Sequence, residues 1–317
     1  MMPLQEFTFD ASLIKNLQSC LGVPETGVYD SITKSAVRNF NLTLGNGSNS
    51  DLNLDTYTKI MNRYGSSVES SLYNEIDDFD CTTDLCEGDF EIQEHMLDSD
   101  EYVVTYGEKR EKDYIFLHHT AGGNNPYSTI DYWNADNRGR IGTHFVIGGQ
   151  KINNGDSEYD GIVLKCIPDE YFAFHLGGKT KHGIDSYMHQ HSIGIEICNF
   201  GWLQEKNGAF YTYVGTRADD DQIVDLGYDF RGYRYWHKYS NAQINSTYFL
   251  LKHLSKRFDI DLEIGLKEWI LNDKDAFGYK TDAVSGKVKG LLSHTNVRKD
   301  KSDIFPQKEM LEMLKSL

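Results

Sequence analysis

The chain has 317 residues, 39% hydrophobic and 13% aromatic, with a formal net charge of −16. That length suits two unequal domains with a sizeable core, and the charge argues against a nucleic-acid partner, whose phosphates demand a basic face. No run approaches the ~20 apolar residues of a membrane helix, so membrane insertion is not expected. The opening Met1-Met-Pro-Leu-Gln-Glu-Phe-Thr8 lacks the charged-then-apolar pattern of a secretory signal.

Residues 7–62 read as a small helical module within a first domain spanning 1–64. Leu13, Ile14, Leu17 and Leu21 fall on one helical stripe, and Ala36, Val37 and Phe40 on a second. Asp30 is placed to cap the second helix after the turn at Gly27. A third short helix begins near Asp55 and carries Tyr57, Ile60 and Met61.

Residues 65–97 read as an acidic linker. No Lys or Arg occurs from Tyr64 to Glu108, although Leu72, Ile76, Phe79, Phe90 and Ile92 are interspersed. The five cysteines, Cys20, Cys81, Cys86, Cys166 and Cys198, form an odd, scattered set and read as free thiols.

Residues 98–317 alternate strand and helix signals. Tyr114–Leu117, Thr143–Ile147 and Ile193–Ile197 are short apolar runs suited to buried strands. Ser240-Asn-Ala-Gln243 has the pattern of a capping box and opens a helix carrying Ile244, Leu251, Leu254 and Phe258. Lys308–Leu317 reads as an amphipathic helix. The expected fold is α/β, a central mixed sheet flanked by helices and preceded by a three-helix module.

Candidate chemistry concentrates in four segments: Phe116-Leu-His-His-Thr-Ala121, Gly142-Thr-His-Phe-Val-Ile147, Ser192-Ile-Gly-Ile-Glu-Ile197, and His294 through Asp303. Two histidines and a carboxylate suit a catalytic zinc, which keeps a further position for water. Alternation along a strand does not choose between His118 and His119, which face opposite sides. Glu196 stands in an otherwise apolar strand, where an unpaired carboxylate is expensive to bury, so it should face the site or a cation.

These four segments, in this order, are similar to the zinc N-acetylmuramoyl-L-alanine amidases of the type 2 amidase and peptidoglycan-recognition-protein family. The resemblance implies that His118, His294 and Asp303 are the zinc ligands, with His119 outside the ligand set. It also implies Glu196 as general base, since Thr143 stands where members lacking the glutamate carry a tyrosine. Lys301 matches a lysine near the metal and would stabilise an oxyanion, and His175, in Ala173-Phe-His-Leu-Gly-Gly178, matches a histidine that lines the substrate cleft. His144 and the aromatic stretch Tyr228–Tyr239 read as structural packing.

The N-terminal run Ile14-Lys-Asn-Leu-Gln-Ser-Cys-Leu21, followed by Gly27-Val-Tyr-Asp-Ser-Ile-Thr33-Lys-Ser-Ala-Val37-Arg-Asn-Phe40, resembles the type 1 peptidoglycan-binding domain. Together the two resemblances imply a monomeric phage-type endolysin with bacterial peptidoglycan as partner. It would wait in the host cytoplasm until lysis. Two rivals remain at this level: a peptidoglycan-binding protein without activity, and a zinc peptidase cutting within the stem peptide. The chain shows no His-Glu-x-x-His helix of the common peptidase type.

Overall fold

The computed structural model describes residues 11–21, 23–43, 52, 56–57, 59–60, 91–97, 110–136, 141–177, 187–272 and 275–317. The apolar linker residues Leu72, Ile76, Phe79 and Phe90, and both Cys81 and Cys86, lie outside them. The chain divides into two units, Met1–Asp89 and Phe90–Leu317.

In the first unit, helices α1 (Ala11–Cys20) and α2 (Ser31–Thr43) pack with helical residues 56–57 and 59–60. Leu17, Val37, Phe40 and Ile60 make its core. Asp30 caps α2 by accepting from the Thr33 amide at 2.9 Å. Buried Gln18 ties the α1–α2 turn together, donating to Thr26, the Val28 carbonyl and Thr33, and accepting from the Gly27 amide.

The second unit is built on a six-stranded mixed sheet. Its members are β1 (Ile92–Glu94), β2 (Tyr114–His119), β3 (Phe145–Ile147), β4 (Val163–Lys165), β5 (Ser192–Ile197) and, far along the chain, β10 (Gly290–Ser293). The spatial order is β1-β4-β3-β5-β2-β10, and only β3 with β4 is antiparallel. The edge strand β1 comes from the segment read as linker; its Ile92 sits opposite Val163, so the sheet starts upstream of residue 98.

The central strands are apolar on both faces because helices cover them. Helix α3 (Pro126–Ala135) is capped by Asn125, which accepts from the Tyr127 and Ser128 amides. Helix α4 (Asn241–Phe258) opens with the expected capping box between Ser240 and Gln243. Helix α5 (His294–Val297) is one turn directly after β10, and α6 (Lys308–Ser316) closes the chain.

Residues 202–237, which take in most of the aromatic stretch Tyr228–Tyr239 expected only to pack, form a second, four-stranded antiparallel sheet in the order β7-β6-β9-β8. It consists of β6 (Trp202–Lys206), β7 (Ala209–Tyr211), β8 (Ile223–Phe230) and β9 (Tyr233–His237). Trp236 of β9 is fully buried and stacks on Phe305 with ring centroids 4.7 Å apart, while Tyr239 stacks on the same ring at 4.5 Å. Removing an indole from such a site leaves a cavity that the surroundings fill poorly. Trp236→Ala is therefore expected to cost about 3–5 kcal/mol, read by urea unfolding of the full chain.

Candidate active site

The site lies at the carboxyl ends of the adjacent parallel strands β5, β2 and β10, where open α/β sheets place their ligands. Parallel pairing of β2 with β5 sets His118 directly opposite Glu196, and Phe116 opposite Gly194. Residues in register project to the same face, so His118 and Glu196 share one side while His119 and Ile197 take the other. This register puts His118, and not His119, on the face of Glu196. His119 turns into the core, where its Nδ1 lies 3.0 Å from the Tyr239 hydroxyl and its ring neighbours Trp236 and Phe305.

His294 arrives from the neighbouring strand. It is the first residue of α5, whose start is held by Ser293 and Asn296; the Asn296 amide in turn donates to the Ala276 and Gly278 carbonyls. Asp303 follows in the loop before α6. The three donor atoms form a nearly equilateral triangle: His118 Nδ1 to His294 Nδ1 is 3.0 Å, and each lies 3.1 Å from Asp303 Oδ2. All three residues are buried, and among the described residues they make the one such group able to hold a metal ion.

The triangle fits a cation better than a hydrogen-bond network. Corners of such a triangle are ~60° apart, so no single N–H can point well at both neighbours. Two nitrogens and one carboxylate oxygen are also the ligand chemistry that zinc accepts. Burial, with His294 beside it, pushes His118 down to about 4, so its ring is neutral at working pH. Burial raises the Asp303 carboxyl, but His294 and His118 outweigh it and hold the group well below the usual carboxylate range. His118 and Asp303 thus offer a lone pair and an anion without first losing protons.

Glu196 is half-buried beside this group. Burial first, and the Asp303 charge second, push its carboxyl well above the ordinary range, while Lys301 draws it down. Lys301 is therefore electrostatically within reach of Glu196 and of His118. Thr143 is buried and donates to the Phe145 carbonyl at 2.8 Å. His144 bridges the Gly194 amide and the Tyr171 carbonyl.

His175 joins the site differently from the expectation. Only 8% exposed, it sits behind His118, with its Nδ1 2.9 Å from His118 Nε2 and its Nε2 2.8 Å from Ser192 Oγ. Both ring nitrogens are engaged by protein atoms, leaving neither for the expected substrate contact.

The chain matches the model of the N-acetylmuramoyl-L-alanine amidase family over residues 108–301. It belongs to that family. The matched segment stops just before Asp303, whose carboxylate nevertheless reaches both His118 and His294 at 3.1 Å. Among solved structures, PlyL is 14% identical, with 67% of this chain and 86% of that chain covered and a TM-score of 0.35. The PlyG catalytic domain is 16% identical over 65% and 79%, with a TM-score of 0.34. The E. coli N-acetylmuramyl-L-alanine amidase AmiD, solved with anhydro-N-acetylmuramic acid-L-Ala-D-gamma-Glu-L-Lys, is 20% identical over 50% and 48%, with a TM-score of 0.31. Likenesses this loose say nothing further of this chain's chemistry. No curated protein matches the chain.

Three residues that support the surroundings of the donor triangle were not singled out by sequence. Ser192 had a readable signal: Ser192, Gly194 and Glu196 alternate with three isoleucines, a polar stripe of period two. Tyr213 and Arg231 had none. The first donates to the Ala121 carbonyl at 2.7 Å, and the second to the Phe277 and Lys299 carbonyls at 2.8 and 3.3 Å. These bonds tether the second sheet to the loops that follow His118 and precede Asp303.

Proposed function

We propose that the chain hydrolyses the amide between the lactyl group of N-acetylmuramic acid and the L-alanine that begins the stem peptide, as a zinc enzyme. The observation that carries this reading is the donor triangle of His118, His294 and Asp303, with Glu196 in register beside it. Zinc held there would polarise the scissile carbonyl and make hydroxide available near neutral pH.

The protein's own groups supply the rest. Glu196 takes the proton from the attacking water and returns it to the departing amine. Burial and the Asp303 charge raise its proton affinity, which makes it a stronger base than an ordinary carboxylate. Lys301 donates to the carbonyl oxygen as negative charge builds there; removing such a donor typically costs about 3–4 kcal/mol of transition-state stabilisation. The N-terminal helical module would hold the enzyme on the wall and raise its local substrate concentration. With that module the chain suits an endolysin role, released onto the wall at host lysis.

Digestion of purified peptidoglycan, with and without a chelator and followed by mass spectrometry, tests the reaction. Intact stem peptides beginning at L-alanine, abolished by chelator, are expected. Cleaved stems would make it a zinc peptidase, and wall pelleting without products a binding protein.

Lys301→Met gives an independent check on the assigned electrostatics. Lys301 lowers the proton affinity of Glu196, so its loss should raise it further. The acid limb of kcat/KM is then expected to move to higher pH, alongside lower turnover. An unmoved limb would separate Lys301 from Glu196.

A further inference from the structure

The short segment His175-Leu176-Gly177 passes behind both histidines of the triangle. His294 Nε2 faces the Leu176 carbonyl at 3.4 Å, and the Arg298 guanidinium donates to the same oxygen at 3.2 Å. A carbonyl only accepts, so the tautomer of His294 that fits this contact carries its proton on Nε2 and turns a bare Nδ1 toward Asp303.

For His118 the same result follows through a longer chain. Ser192 Oγ donates to the His189 carbonyl at 3.1 Å, so its one proton is committed. It therefore accepts from His175 Nε2 at 2.8 Å. A neutral imidazole with its proton on Nε2 has an acceptor at Nδ1, and that atom lies 2.9 Å from His118 Nε2. His118 must donate there, which leaves its own Nδ1 bare as well. This chain of donors and acceptors runs from a backbone carbonyl to the Nδ1 atom of His118.

We propose that His175 is a positioning residue: with Ser192 and the Leu176 carbonyl it fixes tautomer and ring orientation at both histidines, presenting two Nδ1 lone pairs. This rests on the zinc reading above. Two glycines make the arrangement possible. A Cβ on Gly194 would meet the His175 ring at 2.7 Å and Thr143 at 3.0 Å, and one on Gly177, where φ is +74°, would meet Arg298 at 2.4 Å. Glycine weakens a strand interior, and in β5 it occurs where the His175 ring must lie against the backbone.

The test is zinc affinity of the full chain after metal stripping, measured by competition with a chromophoric chelator. The absorption spectrum of the cobalt(II)-loaded protein is recorded beside it. His175→Leu removes the acceptor and is expected to weaken zinc about 10–100-fold, the usual cost of losing a hydrogen-bond partner behind a ligand, and to alter the cobalt bands. His175→Asn puts an amide oxygen where Nδ1 accepts and should recover most of that affinity. Gly194→Ala should behave like His175→Leu.

Equal weakening by Leu and Asn would overturn the proposal, because ring bulk and not the acceptor would then matter. So would wild-type affinity in His175→Leu while His118→Ala binds no zinc. If His118→Ala itself binds like wild type, the zinc reading fails first, and the two failures stay distinct. Should His175→Leu not fold, Ser192→Ala carries the test: weaker zinc and shifted cobalt bands are expected, and unchanged values overturn it.

Discussion

Glu196→Gln is expected to lower turnover on peptidoglycan by about 10²–10⁴ while leaving zinc content unchanged. The amide keeps the shape of the carboxyl but cannot take a proton from water. Glu196 is not among the three converging donors, so the metal has no reason to leave. A second consequence separates this variant from ordinary damage. Burial and the Asp303 charge raise the Glu196 proton affinity, so the folded chain binds more protons there than the unfolded chain. Its contribution therefore falls as pH rises through the ordinary carboxylate range, and the ionised group is a burden on folding at neutral pH. A neutral glutamine escapes that burden. The variant should be at least as stable as wild type at pH 7 while nearly inactive, read by chelator-dye zinc titration, product release and urea unfolding. Near-normal turnover would remove Glu196 from the reaction.

Asp303→Ala is expected to abolish both zinc binding and activity. The carboxylate is the only anion in the triangle, and it lies 3.1 Å from each of the two histidine nitrogens. Without it the site keeps two neutral nitrogens and no charge to offset that of the cation. The loss of affinity should exceed the roughly 10–100-fold expected for a partner behind a ligand. Stability changes by mass action: wild type at zinc about 100 times its dissociation constant gains about 2.7 kcal/mol, and the variant gains none. For a unit of this size that corresponds to about 2–4 °C in Tm per kcal/mol, so zinc should raise the melting temperature of wild type and leave Asp303→Ala unmoved. A variant that still melts higher with zinc would place the metal elsewhere.

Both variants depend on how the residues meet, and the sequence reached part of that meeting. Local signals carried the expected strands around Phe116, Val146 and Ile195, the Ser240 capping box, and a terminal amphipathic helix, because propensity and periodicity act over a few residues. Resemblance in four motifs supplied His118, His294, Asp303 and Glu196 as candidates. The second sheet was not legible, since β8 and β9 carry Asp225, Asp229 and Arg234 among their aromatics and show no clean alternation. The strand Ile92–Glu94 was hidden by its brevity and acidic surroundings; only its partner Val163–Lys165 makes it a strand.

What the sequence determined alone was therefore the set of chemical groups and the elements that carry them. The resemblance named His118, but which of the two neighbours shares a face with Glu196 came from the register of β2 against β5, a pairing between segments far apart in the chain. Alternation says that neighbours face opposite ways, and only the partner strand says which way is inward. His175 shows the same limit. A histidine beside two glycines reads equally as a cleft residue or a buried one, and its place behind His118 depends on a strand glycine 19 positions later leaving room for the ring. Tertiary structure decided these points because hydrogen-bond partners are fixed by proximity in space, which local sequence does not encode.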